Sequence, residues 1–530
     1  MGYIEGGTVY INTDQISAFT TDQMQAFTSD QISAFTTSQI PKLTSDQISS
    51  FTTSQIVALT DSQVGALKPT QVAAIETADI VVLSSAQVNA LSSAQVGAMT
   101  TMQVAALSTA AVNALEPSKL STLSTAQVGA LKAAQVNALS IAQVVAMTNM
   151  QVASLSTAAV NALEPSKLSA LSSAQVGALT TMQVASLLTE NIKGLSAAQV
   201  NALSVSQIGA MTTMQVAAFG TAQVNALSAA QVNALSAEKV AALSTAAIAA
   251  LSTTQIGAIS SHQIKALTTT QIAALETQDL AVFGTAQVNA LTTGQIKALQ
   301  TDQIQALSTA QISKLGTDQL QAIETSNVAL LTSTQLNALT TAQLAGLTNA
   351  QVGGLSTSQL NALSTAQLVG LTTSQVVGLT TSQVAALTTS QVVGLTTSQV
   401  VGLTTSQVAA LTTSQVVGLT TSQVVGLTTS QVVGLTTSQV VGLTTSQVAA
   451  LTTTQLKALT TSQVVGLTTS QVVGLTTSQL KALTTSQVAA LTTTQLKALT
   501  TAQLAILTST NPPTSTNPPT STNPPTIKKT

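Results

Sequence analysis

The sequence contains no cysteine, no arginine and a single histidine, and charged residues make up only 6% of its 530 positions. The absence of cysteine excludes disulfides and thiolate metal sites, and one histidine cannot build a dyad, a triad or a multi-histidine metal site within one chain. The formal net charge is −2, and no basic cluster exceeds the pair Lys528 and Lys529. Nucleic acid is therefore not an expected partner.

Long hydrophobic runs are missing too, although hydrophobic residues make up 45% of the chain and the mean hydropathy is +0.41. Ser, Thr or Gln interrupts every apolar cluster after about five residues, whereas a membrane-spanning helix needs roughly 20 apolar residues. We therefore predict no transmembrane segment. The first residues, MGYIEGGTVYINTDQ, have neither the basic nor the apolar region of a secretory signal, so a cleaved N-terminal signal is not expected.

What fills the chain instead is a repeat of eight residues. One position recurs every eight residues from 15 through 503, usually as Gln, which makes 62 octads without insertion or deletion. We number the octad from 1 to 8, as in Thr372 to Leu379, TTSQVVGL: position 1 is Ser or Thr, 4 is Gln, 5 is Val, Ile or Leu, 7 is Ala or Gly, and 8 is Leu. Other residues replace the glutamine at Asp79, Ala111, Lys119, Ala159, Lys167, Asn191, Lys239, Ala247, Asp279 and Asn327.

Local signals predict that each octad is a short capped helix. Ser or Thr followed three residues later by Gln, ahead of apolar residues, is the capping-box pattern. Residues that also suit a helix cap replace the hydroxyl residue at Asn12, Gly220, Gly284 and Gly316. Proline stands at the next position, the favoured first residue of a helix, at Pro69, Pro117 and Pro165. Aspartates that would complement the helix dipole in the first turn are Asp14, Asp22, Asp30 and Asp46.

A β-solenoid is the alternative, because Val, Thr and Ile are strand-prone and the Gly of the QVVGL octads weakens a helix. Against it, positions 5 and 8 share one face of a helix but lie on opposite faces of a strand. One continuous helix is excluded, because eight residues are not a whole number of turns. Pro41 lies where a helical N–H is needed, so its octad should be distorted. The predicted fold class is an all-α solenoid of about 62 one- to two-turn capped helices.

The octads must stack to be stable. Burying one Val and one Leu returns less free energy than ordering eight residues costs, so a single octad cannot fold alone. The predicted organisation is an N-terminal lead-in at 1–11, an octad solenoid at 12–507, and a Pro/Thr-rich disordered linker or tail at 508–530, built from STNPPT. Phenylalanines cluster at position 8 of the early octads, as expected for an atypical terminal unit or for ordinary core: Phe19, Phe27, Phe35 and Phe51.

No residue stands out as catalytic, cofactor-binding or metal-binding, and we expect neither an enzyme nor a cofactor. His262 occupies the variable position 3, which predicts an exposed side chain. Lysines at the variable position 6, for solubility or as a weak stripe for an acidic partner, are Lys457, Lys481 and Lys497. Glutamate replaces the capping hydroxyl without an evident local reason at Glu76, Glu116, Glu164, Glu276 and Glu324.

The pairs of threonines, such as Thr372 with Thr373 and Thr380 with Thr381, admit two interpretations. Capping explains the first Thr, and the second is then a tolerated exposed residue. Alternatively, the pairs form a regular threonine lattice that binds ice or a crystalline polysaccharide.

The octad LTTxQVxAL, with TDQI variants such as Thr13 to Ile16, resembles tandem tracts of very large bacterial proteins often labelled haem-utilisation or adhesion proteins. The resemblance covers residues 12–507 and implies a surface or secreted stalk, although calcium-binding nonapeptides and an adhesive domain are not found and the lone histidine gives no support for haem. We therefore expect a non-enzymatic spacer or adhesin stalk at the cell surface or outside the cell, with a protein or carbohydrate surface as partner. The alternatives are a threonine-lattice binding protein and an intracellular scaffold.

Overall fold

The computed structural model describes residues 3–5, 8–10, 13 and 15–510. Before the octads lies a two-stranded antiparallel hairpin of Tyr3–Glu5 and Thr8–Tyr10, in which Tyr3 pairs with Tyr10 and Glu5 with Thr8. The octad-based prediction did not include this hairpin, which falls in the lead-in segment. Asn12 and Asp14 lie outside the described residues.

Each octad forms one helix. The described chain has 60 α-helices and two 3-10 helices, Ile16–Ala18 and Ile40–Lys42, so the all-α prediction is confirmed for the repeat. Every α-helix begins at position 2 of its octad, and most of them end at position 7, as in Thr397–Gly402. The last helix, Thr501–Thr510, continues three residues into the predicted tail, whose remaining residues lie outside the described part.

The remaining helices are shorter by one or two residues. The five-residue helices, which end at position 6, are Thr21–Gln25, Ser29–Ser33, Ser45–Ser49, Thr125–Gly129, Thr157–Asn161, Ser173–Gly177, Thr213–Ala217, Ala229–Asn233, Thr245–Ala249, Thr269–Ala273, Thr277–Ala281, Ser333–Asn337, Asn349–Gly353, Thr365–Val369, Thr373–Val377 and Thr469–Val473. The four-residue helices are Thr77–Ile80, Pro117–Leu120, Thr309–Ile312 and Thr325–Val328.

The predicted caps determine where the helices begin. In the octad that starts at Thr396, the cap has extended backbone, φ −67° and ψ 155°, and its side chain accepts a hydrogen bond from the Gln399 N–H while the Gln399 side chain accepts from the Thr396 N–H. Prolines 69, 117 and 165 occupy the first helical position, and glycines 220, 284 and 316 occupy the cap, as predicted. Aspartates 22, 30 and 46 lie in the first turn, also as predicted.

Position 8 ends the helix and turns the chain. Leu403 has φ −56° and ψ 145°, and its N–H donates to the Val400 carbonyl before the next cap begins. Pro41 has the predicted effect: its octad contains only the 3-10 turn Ile40–Lys42 in place of an α-helix, although Ile40 and Leu43 stay buried. The frame of eight therefore survives a locally distorted octad.

Positions 5 and 8 form the core. Val376 and Leu379 are 0% and 4% exposed, and the same two positions are buried in nearly every octad, which agrees with the helical rather than the strand interpretation. The chain divides into two compact units, Met1–Val282 and Phe283–Thr530.

Within each unit, an octad packs against the octad three places along. Helix Pro69–Ala74 contacts Ser93–Ala98 in the first unit, and Thr373–Val377 contacts Thr397–Gly402 in the second. Side-chain hydrogen bonds join octads four places apart, as from Gln375 to Leu347. Neighbours at three and four places correspond to between three and four octads per turn, the same pattern that residues show in an α-helix. The sequence alone did not determine this number.

Candidate functional site: a buried glutamine ladder

The glutamine at position 4 makes two sets of hydrogen bonds. In the octad of Gln375, the Oε1 atom accepts from the Thr372 N–H at 2.7 Å, which completes the capping box. The Nε2 atom donates to two carbonyl oxygens of the octad four places earlier, Leu347 at 2.7 Å and Leu344 at 2.9 Å. One side chain therefore caps its own helix and ties it to the next turn of the solenoid.

This arrangement repeats through both units, and we call it the glutamine ladder. Gln63 donates to Phe35 and Ile32, and Gln495 donates to Leu467 and Val464, with the same separations of 28 and 31 residues. The amides are buried: Gln375 is 1% exposed. A buried amide whose polar atoms are all hydrogen-bonded contributes to the stability of the fold. If the backbone carbonyls that it bonds were left without a donor, the fold would lose stability.

The capping half of this role is predicted from the sequence, whereas the donating half is seen only in the structure. A signal for it was present, because Glu satisfies a capping box as well as Gln does, yet no octad has Glu at position 4. A carboxylate offers oxygens to the cap N–H but no N–H to a carbonyl. Gln supplies both a donor and an acceptor at this length, which fits its prevalence at position 4.

Lysine replaces the donor in three octads. Lys239 Nζ donates to the Gly209 carbonyl at 2.6 Å, and Lys119 and Lys167 reach the carbonyls of Asn89 and Asn137 in the same way. The lysine ammonium therefore keeps the link to the octad four places earlier.

The five octads with Glu at position 1 are all octads that lack Gln at position 4. In two of them the glutamate pairs with the substituting lysine, Glu116 with Lys119 at 3.6 Å and Glu164 with Lys167 at 4.0 Å. These ion pairs account for the unfavourable cap residue. The structure does not explain the glutamates at 76, 276 and 324.

Side chains that are shorter than Gln at position 4 bond nearer partners, or have none among the described residues. Asp79 Oδ1 accepts from Thr53 Oγ1 at 2.7 Å, and Asn327 Oδ1 accepts from Thr301 Oγ1 at 2.9 Å, in both cases from the octad three places earlier. Asn191 is 2% exposed, and its Nδ2 has no partner among the described residues. The extra methylene of Gln is thus what lets the amide reach the carbonyls four octads away.

Asp279 is a buried carboxylate at position 4, so the pH can act on the ladder there. Burial raises the pKa of its side chain above the ordinary 3.8; the hydrogen bond from the Glu276 N–H opposes the shift, and the Glu276 charge adds to it. That N–H reaches Asp279 Oδ2 at 3.0 Å, so Asp279 keeps the capping half of the glutamine role.

The second threonine of each pair also has a structural role. Thr373 Cγ2 faces position 7 of the octad three places later, where a Cβ added to Gly402 would lie 2.6 Å from it. Thr389 Cγ2 faces Gly418 in the same way, at 2.8 Å. The methyl group packs between octads, so the sequence interpretation of this residue as merely tolerated was incomplete.

Comparison with known families identifies this repeat. The ALTTAQ repeat matches residues 72–109, 112–149, 206–237, 213–245, 238–269, 272–309, 321–357, 354–389, 389–421, 417–453, 440–477 and 472–509, together more than half of the chain. The chain belongs to the ALTTAQ repeat family. No curated protein matches it.

The surface of the ALTTAQ octads carries few groups with distinctive chemistry. His262 is exposed, as predicted, and lies in a shallow depression with Glu238 and Lys265. The pKa of the fully exposed Glu238 carboxyl is lowered by a bond from its own backbone N–H, then by the Ser236 hydroxyl, with smaller effects of His262 and Lys239. In the described ranges, no three His, Cys, Asp or Glu residues come together as a metal site.

Lysines 457, 481 and 497 are exposed, and the helices that carry the first two, Thr453–Ala458 and Thr477–Ala482, pack against each other. Within residues 15–510, no helix has the length and hydropathy that a membrane span requires.

Proposed function

We propose that the ALTTAQ array is a non-enzymatic structural spacer, a surface or secreted stalk whose length is its function. The glutamine ladder supports this proposal, because its glutamines bond the position-8 carbonyl of the octad four places earlier, as Gln375 bonds Leu347 and Gln399 bonds Leu371, whatever residues occupy the exposed positions. In the stretch 372–491 almost identical octads follow one another. Each added octad thus extends the structure without changing its chemistry.

The outward positions support a spacer over an enzyme. Positions 2, 3 and 6 vary widely, with Thr, Ser, Ala, Asn, Asp, Val, Met and Lys among their residues, and His262 is the single histidine of the chain. A surface with no repeated reactive group suits a protein that separates its two flanking segments. The resemblance to stalk-like bacterial proteins supports a position at the cell surface or outside the cell.

The spacer proposal is tested by length within the second unit. Single cysteines replace Ser374 and Thr494, both exposed, and spin labels on them report the separation in the full chain. Deleting three or six whole octads between the labels should shorten the distance in proportion to the number removed. A separation that does not follow the number of octads would contradict a spacer.

Localisation is tested separately on whole cells. Protease added outside intact cells should cleave a surface stalk and spare a cytoplasmic marker, and a secreted form should appear in the medium. Recovery of the protein only in the cytoplasmic fraction would favour the intracellular scaffold instead.

A further inference from the structure

The glutamine ladder has a direction, and its two ends are chemically complementary. Each glutamine donates toward the N-terminus, so the first octads have donors with no earlier octad to receive them, and the last octads have carbonyls with no later octad to bond them. An α-helix has the same asymmetry, with unbonded N–H groups at one end and unbonded C=O groups at the other.

At the first octads the donors are the Nε2 atoms of Gln23 and Gln31. Their Oε1 atoms accept from the Thr20 and Thr28 N–H groups at 2.9 Å, but no hydrogen bond from either Nε2 is found in the described part of the chain. Gln23 is exposed and Gln31 partly exposed, unlike the buried glutamines of the interior.

At the last octads the acceptors are the carbonyl oxygens of Leu483, Leu491 and Leu499. In the interior, the corresponding oxygen of Leu467 accepts from Gln495 at 2.7 Å. For these three leucines no such bond occurs within residues 15–510.

Apolar groups are exposed at both places as well. Phe19 and Phe27 are partly exposed, whereas Phe35 and Phe51, deeper in the array, are buried; Phe27 meets Phe19 edge to face at 5.5 Å. At the other end Val488, Leu496 and Leu504 are partly exposed, although their equivalents in the interior are not. Exposed apolar groups beside unbonded polar groups are typical of an interface.

We infer that the occupant of each end is a second copy of this chain, joined head to tail. If the first octad of the second copy follows the last octad of the first copy in frame, its Gln23 stands 28 positions beyond Leu491, and its Gln31 stands 28 positions beyond Leu499. That is the separation at which interior glutamines such as Gln375 and Gln495 bond the position-8 carbonyl. The junction continues the ladder, and a head-to-tail contact of this kind leaves both outer ends free to repeat it.

The test uses the full chain, whose lack of cysteine allows single labels. One preparation carries a dye on Thr21→Cys and another on Thr501→Cys, both exposed positions. Energy transfer should rise with concentration in the mixture of the two, while two preparations labelled at Thr21 should show none. Sedimentation velocity should reveal species larger than one chain under the same conditions.

Paired variants test the donors. Gln23→Glu with Gln31→Glu keeps the oxygen for the helix cap but removes the N–H and places a carboxylate opposite a carbonyl, so the dissociation constant should rise by about tenfold or more. Thr21→Glu with Ser45→Glu adds the same charge to exposed positions nearby and should leave association unchanged.

Three results would overturn the inference. The first is a chain that stays monomeric at every concentration, and the second is energy transfer between two Thr21 labels. The third is association that appears only after removal of residues 1–11 or 511–530, because the chain's own end segments would then be the occupants.

Discussion

Two regions of the array have the same buried positions 5 and 8 but differ in the residues at position 4. In the uniform region, 372–491, every octad has Gln at position 4; in the interrupted region, 108–171, half of the octads have Ala or Lys there. Val112 and Leu115 are nevertheless as deeply buried as Val376 and Leu379. Positions 5 and 8 therefore determine the fold, while position 4 determines how firmly one turn is bonded to the next.

The largest expected effect comes from breaking a rung in the uniform region. Gln415→Leu removes the bonds to the Leu387 carbonyl and to the Thr412 N–H, and should cost about 2–4 kcal/mol of local stability, because buried polar groups lose their partners. Hydrogen exchange at the Val416 and Leu419 amides measures the local opening free energy.

The control for this rung is Ser414→Ala, an exposed change in the same helix, which should leave exchange unchanged. Equal protection in Gln415→Leu and the unmodified chain would show that the ladder does not hold the octads together.

A smaller effect is expected when the Glu and Lys pair of the interrupted region is introduced into the uniform region. Thr412→Glu with Gln415→Lys imitates Glu116 and Lys119, and the new ammonium should bond the Ala385 carbonyl, 30 residues earlier. We expect recovery of about half the loss seen with Leu, since a charged donor again meets the carbonyl. Gln415→Met, which has similar length and no donor, should recover none; equal exchange in the double variant and in Met would refute a bonding role for the lysines.

From the raised pKa of Asp279 we predict that the local opening free energy around it depends on pH, whereas that of the uniform region should not. The pKa of Asp279 is raised in the folded chain, so its protonated form contributes to the free energy of unfolding. This contribution is fully present below the pKa of Asp279 in the unfolded chain and is lost as the pH rises through its pKa in the folded chain. The opening free energy of helix Thr277–Ala281, from exchange corrected for intrinsic rates, should fall over that window. Asp279→Asn should flatten the profile; an identical slope in that variant would assign the dependence to another group.

The smallest effect concerns the second threonines. Changing Thr373, Thr389, Thr397 and Thr413 to Ser removes a methyl group that packs on the next octads, and each change should cost less than about 1 kcal/mol. Thermal hysteresis and pull-down on solid polysaccharide should be negative before and after the change. Binding that is present in the unmodified chain and lost in the variant would favour the threonine lattice over packing.

The features that depend on contacts within one octad were predicted well from the sequence. Helix starts at Pro69 or Gly220 and the distortion at Pro41 follow from contacts within one octad, which the residues themselves specify. The partner of Gln375 at Leu347 lies 28 residues away, and its identity depends on the angle between successive helices, which no single octad encodes. For the same reason the ion pair at Glu116 and the number of octads per turn emerged only from the structure.

Each octad contacts octads that lie 24 and 32 residues away in the sequence, and both separations are multiples of eight. Gain or loss of 24 nucleotides, by replication slippage or unequal recombination, restores every contact on both sides of the change. A single added codon would put the rungs that span it, those of the next three or four octads, opposite the wrong carbonyl. Genes of this kind should therefore differ between strains by whole octads, and selection can adjust the protein in steps of one turn-forming unit without redesigning its interior.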